Sequence, residues 1–418
     1  MDLKKLKPVF LAVIIVFAVV GVTLYMGTYF SGLLFILLAL VLYAAFRYYY
    51  DGKEVLISLL KKGLQGLMVP VIGIVIAIII GAVVMLISNY DPVAAYKALF
   101  YGAFVRNWHI SVLNAAPLMF TGLSVALAFH AGLFNIGAEG QYYIGAMAAT
   151  YLGLYVKLPP FLSLALIFIL AGLLASAWNI IPAVLKVRTG AHEVITTMMF
   201  AHIARYLSPI FIRANGGDPA TSTHAYVTTE LPESNWLPRF NAFLPDANYR
   251  LHVGILIGIV VALLVYYLLY YTKVGFEIRA VGENKDAARA QGISIGRSIL
   301  IALLIAGFLA GLAGVNQVVG LDHKLYQNLD ANYGWNGISV ALLAGSHPIG
   351  VIFTALLWGA LDAGGQYMAR VTQTSNSIVE IIKGIILFLV VAKYIYAYVG
   401  NRIRRARKKR RAEAKEAV

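Results

Sequence analysis

The chain has 418 residues, 60% hydrophobic and 13% charged, with a formal net charge of +15 and no cysteine. Its apolar runs are too many and too long for one water-soluble core. The missing thiols exclude a disulfide framework, a thiolate metal site and a cysteine nucleophile, and no paired carboxylates or histidines stand at catalytic or metal-ligand spacing, so neither catalytic nor metal-binding residues are expected.

A membrane-crossing helix needs about 20 mostly apolar residues. Pro8 to Phe46 holds no Asp, Glu, Lys, Arg or His, room for two crossings with a turn near Met26 to Gly32. The start "MDLKKLKPVFLAVIIVF" has the basic-then-apolar form of a signal sequence, but no small-x-small cleavage site closes it, so it reads as a retained first helix. Uncharged windows come next at residues 63–90, 110–129, 140–156, 158–185, 253–272 and 298–321, and His192 to Ile212 and Gly337 to Gly345 count as short or broken crossings. None of these runs alternates with period two, which sets aside an outer-membrane barrel. The prediction is an all-α, polytopic helical integral membrane protein with about 10–12 transmembrane helices.

Lys and Arg concentrate on the cytoplasmic side of such proteins. Lys4, Lys5 and Lys7 put the amino terminus inside, Lys186 and Arg188 do the same for a later loop, and eight Lys or Arg between Arg402 and Arg411 put the carboxyl terminus inside. Anionic lipid beside that tail accounts for much of the positive charge without nucleic acid. The expected divisions are residues 1–62, an extra N-terminal hairpin and linker; 63–400, the transmembrane domain; and 401–418, a basic cytoplasmic tail. Within the domain, residues 213–249 form an extracellular loop and 272–298 a cytoplasmic one.

Between two crossings lies "FHAGLFNIGAEGQYYIGA", Phe129 to Ala146, which sets Asn135, Glu139 and Gln141 among glycines with no Lys or Arg nearby. Gly132, Gly137 and Gly140 permit a helix break, and irregular backbone at membrane depth needs protein or a water-filled cavity around it. A carboxylate there faces the bundle or a solute pathway. Either Asn135, Glu139 and Gln141 offer hydrogen bonds to a polar solute, or Glu139 holds backbone amides at the break. His192 and Glu193 open another crossing, where they line the pathway or Glu193 favours the positive helix end. His202 and Arg205 lie further along that helix. Glu380 and Lys383 have the spacing of a helix-surface pair. Tyr326, Tyr333 and Trp335 would stack a base or belong to the aromatic belt at the interface.

In the loop "TKVGFEIRAVGENKDAARAQGISIGRS", Asn284 suits a helix cap, Asp286 the first turn, and Gly292 the left-handed residue that ends the helix. Two turns alone in water are unstable, so a cytoplasmic partner is implied.

Asp286 to Gly292, "DAARAQG", resembles the coupling-loop signature of bacterial ABC importer permeases, Glu-Ala-Ala, three residues, Gly. Asp286 stands for the Glu, Ala287, Ala288 and Gly292 match, and the Pro that closes the longer pattern is missing. With "FNIGAEGQ" and "RTGAHEVITTMMF", Arg188 to Phe200, the chain from about Lys62 to Lys393 resembles the nucleoside branch of these permeases, related to the simple-sugar and branched-chain amino-acid permeases. The resemblance implies an ABC importer permease fold and coupling to an ATPase through Glu283, Asn284, Asp286, Ala287, Ala288, Arg289 and Gly292. It further implies a second homologous permease, a cytoplasmic ATP-binding subunit and an extracellular substrate-binding lipoprotein, in a bacterial cytoplasmic membrane. No cofactor is expected on this chain, with ATP and Mg at the partner ATPase. In keeping with that, the one Gly-Lys pair, Gly52-Lys53, is followed by Glu54 and preceded by Arg47 where a phosphate-cradling loop needs Gly.

"GLSVAL" at 122–127 recurs as "GISVAL" at 337–342, an echo of the duplicated halves common in transporters. A simple-sugar permease remains an alternative, as does an ion-coupled secondary transporter with a relay through Glu139, Glu193 and Asp362.

Overall fold

The computed structural model describes Glu54 and residues 72–216, 227–240, 249–327, 329 and 332–391. Contacts divide the chain into one unit of residues 1–78 with 392–418 and another of residues 79–391. Nearly all the described residues belong to the second unit. The first two expected crossings and the basic tail lie outside the described residues.

Helix α1 (Ile72–Ile87) leads to a turn with Asn89 at positive φ. Asp91 then caps α2 (Pro92–Tyr101), its carboxylate accepting from the Val93 and Ala94 amides, with Pro92 in the first turn where no amide partner is needed. A π-turn (Gly102–Arg106) feeds α3 (Trp108–His130). Next come α4 (Ala138–Tyr155), α5 (Pro160–Trp178), α6 (Ile180–Thr189), α7 (Glu193–Ala214) and α8 (Gly254–Tyr271). Two short helices, α9 (Lys273–Glu283) and α10 (Lys285–Ala290), precede α11 (Ile295–Gln317). The described chain closes with α12 (Tyr333–Leu343), α13 (Pro348–Thr372) and α14 (Ser377–Val391).

Among the described residues, six stretches are long and apolar enough to cross a membrane: α3, α5 with α6, α7, α8, α11 with the turn after it, and α13. The protein is thus a polytopic helical membrane protein, as its composition predicts. One expectation changes. α7, counted as short or broken, runs for 22 residues through Pro209, and α12, with 11 residues, is the short one.

α3 and α11 are buried along most of their length, while α5, α7 and α8 expose most of theirs. Small residues bring the central backbones together, because lipid tails give apolar helices no hydrophobic reason to associate and close packing must do it. A Cβ at Gly145 of α4 would fall on the Gly311 carbonyl of α11, and one at Gly314 on the Tyr142 carbonyl. The echoed hexapeptides meet in space: a Cβ at Gly122 of α3 would strike Val340 of α12, and one at Gly337 would strike Thr121.

Candidate functional site

The segment after α3 turns at Gly132, whose φ of +69° suits glycine, and reaches α4 through Asn135. Asn135 and Gln141 clasp each other, Nδ2 donating to Oε1 at 3.1 Å and Nε2 to Oδ1 at 3.3 Å. Asn135 also donates to Ser124 of α3 and accepts from the Gly137 amide. Both amides are buried, so the break in the helix is satisfied from within, as backbone at this depth requires.

Glu139 lies in the first turn of α4, yet its Oε2 accepts the Gly334 amide of α12 at 2.7 Å. A Cβ at Gly334 would overlap the Glu139 backbone, so the N-termini of α4 and α12 abut. The carboxylate therefore sits at two positive helix ends at once. Thr121 of α3 steadies the same junction by donating to the Tyr333 carbonyl at 2.8 Å. Tyr333 is buried, edge-on to Tyr142 at 5.9 Å, and is not part of an interfacial belt. The Tyr142 hydroxyl is buried with no hydrogen-bond partner among the described residues.

His192 is exposed at the N-cap of α7. Glu193 is buried and ion-paired at 2.7 Å with Lys186 of α6. One turn on, Thr197 packs where Gly137 leaves no room for a side chain, so α7 borders the Asn135–Gln141 clasp. Lys383 of α14 bridges Glu380 and Asp362 of α13, each at 2.7 Å.

At the end of α8, Gly275 of α9 presses on the backbone at Leu268 and Leu269, and Gly282 on the His130 carbonyl and Gly132. Asn284 caps α10, accepting from the Asp286 and Ala287 amides at 3.0 Å. Gly292, at φ +77°, ends the turn, where the Ile293 amide returns to the Ala288 carbonyl. Glu283, Asp286, Ala287 and Arg289 are exposed and Ala288 is buried, leaving α10 a projecting knob.

Where α8 begins, residues 227–240 lie against the segment after α11, a contact that sequence patterns do not announce. The Leu231 amide donates to the His323 carbonyl and the Leu237 amide to that of Val319. His323 stacks on Trp236 at 3.8 Å and accepts through Nε2 from Arg239 at 2.9 Å. His252 accepts the Gly254 amide through Nδ1. Burial first, then His323 and Arg239 for His252, and Arg239 and Arg250 for His323, push both imidazoles down to about 4. Among the described residues, no three His, Asp or Glu are grouped to hold a metal ion.

Residues 109–391 match the family described as "Branched-chain amino acid transport system / permease component". The chain is 33% identical over 348 residues to the guanosine ABC transporter permease protein NupP of Bacillus subtilis, covering 82% of this chain and 98% of that one. It is 33% identical to the nucleoside ABC transporter permease protein NupB of Lactococcus lactis, over 78% of this chain and 91% of the relative. It is 30% identical to the glucose ABC transporter permease protein TsgB13 of Haloferax volcanii, over 79% and 88%. No solved structure matches it. With a helical membrane bundle, a capped helix projecting from it and a family match across most of the described chain, the protein belongs to this family of transport-system permease components.

Proposed function

We propose that this chain is the permease subunit of an ATP-binding-cassette importer that moves nucleosides across the cytoplasmic membrane. The observation that carries the coupling half of the proposal is α10, a six-residue helix fully capped within the chain yet exposed on every residue but Ala288. Such a helix is ordered for a partner to grip. A cytoplasmic ATPase, with its own ATP and Mg, docks there through Glu283, Asn284, Asp286, Ala287, Arg289 and Gly292, with Ala288 anchoring the knob. The nucleoside half is supported by the likeness to the permeases named for guanosine and nucleosides.

In this reading α10 and both termini face the cytoplasm, in keeping with Lys186, Arg188 and the basic tail. Residues 227–240 then face the outside, where a substrate-binding lipoprotein delivers solute. A second permease completes the pore. Glu139, by holding α4 and α12 end to end, and the Asn135–Gln141 clasp, by closing the break before α4, frame the pathway from behind, and Glu193 ties α6 to α7 at its inner mouth beside His192. The experiment is uptake in proteoliposomes with the ATPase, second permease and binding protein supplied. Guanosine accumulation that needs hydrolysable ATP is expected. Accumulation driven by an ion gradient alone would sink the proposal. The likeness to a glucose permease favours a simple sugar as the second substrate to assay.

A further inference from the structure

Where Gly282 presses on the His130 carbonyl, α9 and the end of α3 enclose a pocket of about 220 Å³ lined by Phe129, His130, Arg279, Gly282 and Glu283. That volume falls below the roughly 300–1,000 Å³ of a site that takes a whole drug-sized molecule, and suits one flat ring system.

The walls are set by contacts made outside the pocket. His130 donates from Nε2 to the Ser346 carbonyl at 3.1 Å. Arg279 donates from Nε to the Leu269 carbonyl at 3.0 Å and lies over the Tyr270 ring, with Cζ 5.0 Å from the ring centre. Those contacts fix the guanidinium plane and leave its two terminal nitrogens as a fork of donors. Glu283 stands four residues further along α9, at the spacing where opposite charges on a helix ordinarily meet. Among the described residues no ion pair joins the two. A donor fork and an acceptor-only carboxylate thus border one small pocket, with half-buried Phe129 as its apolar wall.

We propose that this pocket binds a guanine base from the cytoplasmic side, and that guanosine held there slows the importer that delivered it. Guanine offers O6 and N7 acceptors, which an Arg fork takes as a pair, and N1–H and N2–H donors, which a carboxylate takes as a pair. Phe129 gives the base a surface to stack on. Adenine is refused twice, because its N6 amine faces the fork and its N1 lone pair faces the carboxylate. The ribose stays outside in water. A wedged base holds α9 against α3, the two parts that a load on α10 would move relative to each other, and it occupies Glu283, which the ATPase also grips. The inference rests on the nucleoside reading for its ligand and adds a feedback site apart from the solute path.

Proteoliposomes carrying the full complex, with ATP in the lumen that stands for the cytoplasm, provide the test. The initial rate of labelled guanosine uptake is read with unlabelled guanosine, inosine or adenosine preloaded inside. Luminal guanosine is expected to slow uptake about tenfold or more at saturation. Inosine, which lacks the N2 amine, should need about tenfold higher concentrations, and adenosine should do little. Glu283→Gln, whose amide pairs with adenine instead, should reverse the order of guanosine and adenosine, which the loss of a merely structural side chain would not do. Arg279→Lys keeps the charge and loses the fork, so about tenfold more guanosine should be needed for the same slowing. It keeps the test open if the Gln variant fails to engage its ATPase. Equal slowing by all three nucleosides would mean return of solute into the path and would overturn the pocket. Uptake by the unsubstituted complex with only ATP inside separates the two readings: its absence refutes nucleoside transport, whereas normal uptake that luminal guanosine does not slow refutes only the pocket.

Discussion

Glu139 Oε2 accepts an amide 195 positions away in sequence, between the starts of two helices. Replacing it by Gln keeps an acceptor but removes the charge at the helix ends, a loss of about 0.3–2 kcal/mol. Glu139→Ala also leaves the buried Gly334 amide unpaired, which costs about 1–3 kcal/mol. The melting temperature and yield of the complex should therefore fall slightly for Gln and clearly for Ala, with uptake following. An Ala variant that melts normally would show that the junction is held by something else. The sequence exposes half of this site. Asn135, Glu139 and Gln141 stand out because amides and a carboxylate are rare among apolar runs, and Asn135 and Gln141 are close enough in sequence to pair locally. Gly334 and Thr121 give no such signal, since their roles exist only once α12 has packed on α3.

For elements, local chemistry decides what can be read in advance. The cap at Asn284 and the stop at Gly292 are written in adjacent residues, and the structure has both. The lengths of α7 and α12 are not: the polar residues and Pro209 within α7 interrupt its apolar run without ending the helix, and α12 begins where it meets α4, a contact remote in sequence. α10 supplies its own prediction. Asn284→Ala should cost about 0.5–2 kcal/mol of local helix stability. At Gly292 an added Cβ meets nothing within 4 Å, so Gly292→Val tests backbone strain alone, about 1–2 kcal/mol for a left-handed residue. Both variants should insert and assemble, and both should lose substrate-stimulated ATP hydrolysis, Gly292→Val the more. Undiminished stimulation in the two would remove α10 as the docking element.

At the scale of the molecule, stability should depend on pH through the end where residues 227–240 lie. His252 and His323 titrate near 6.5 when unfolded and are held down to about 4 in the fold. Between those values the unfolded chain takes up protons that the folded one refuses. Stability is thus fully present above about pH 6.5 and falls as the pH drops towards 4, by up to about 1.4 kcal/mol per pH unit for each histidine. Melting temperatures from pH 8 to pH 5 check this, and His252→Gln should flatten the slope. At the opposite end of α8, the two glycine contacts of α9 have a mechanical consequence. Gly275 rests on α8 and Gly282 on the turn after α3, with no side chain at either point to bend or give. The helix is a stiff beam about 16 Å long, supported near both ends, with α10 as its overhang. Load on the overhang arrives at Gly132, three residues before Asn135, so the lever that an ATPase would grasp ends on the segment that leads into α4. Gly282→Ala should pry beam from support, leaving ATP hydrolysis that no longer moves solute, whereas loss of hydrolysis and uptake together would mean the contact only holds the fold.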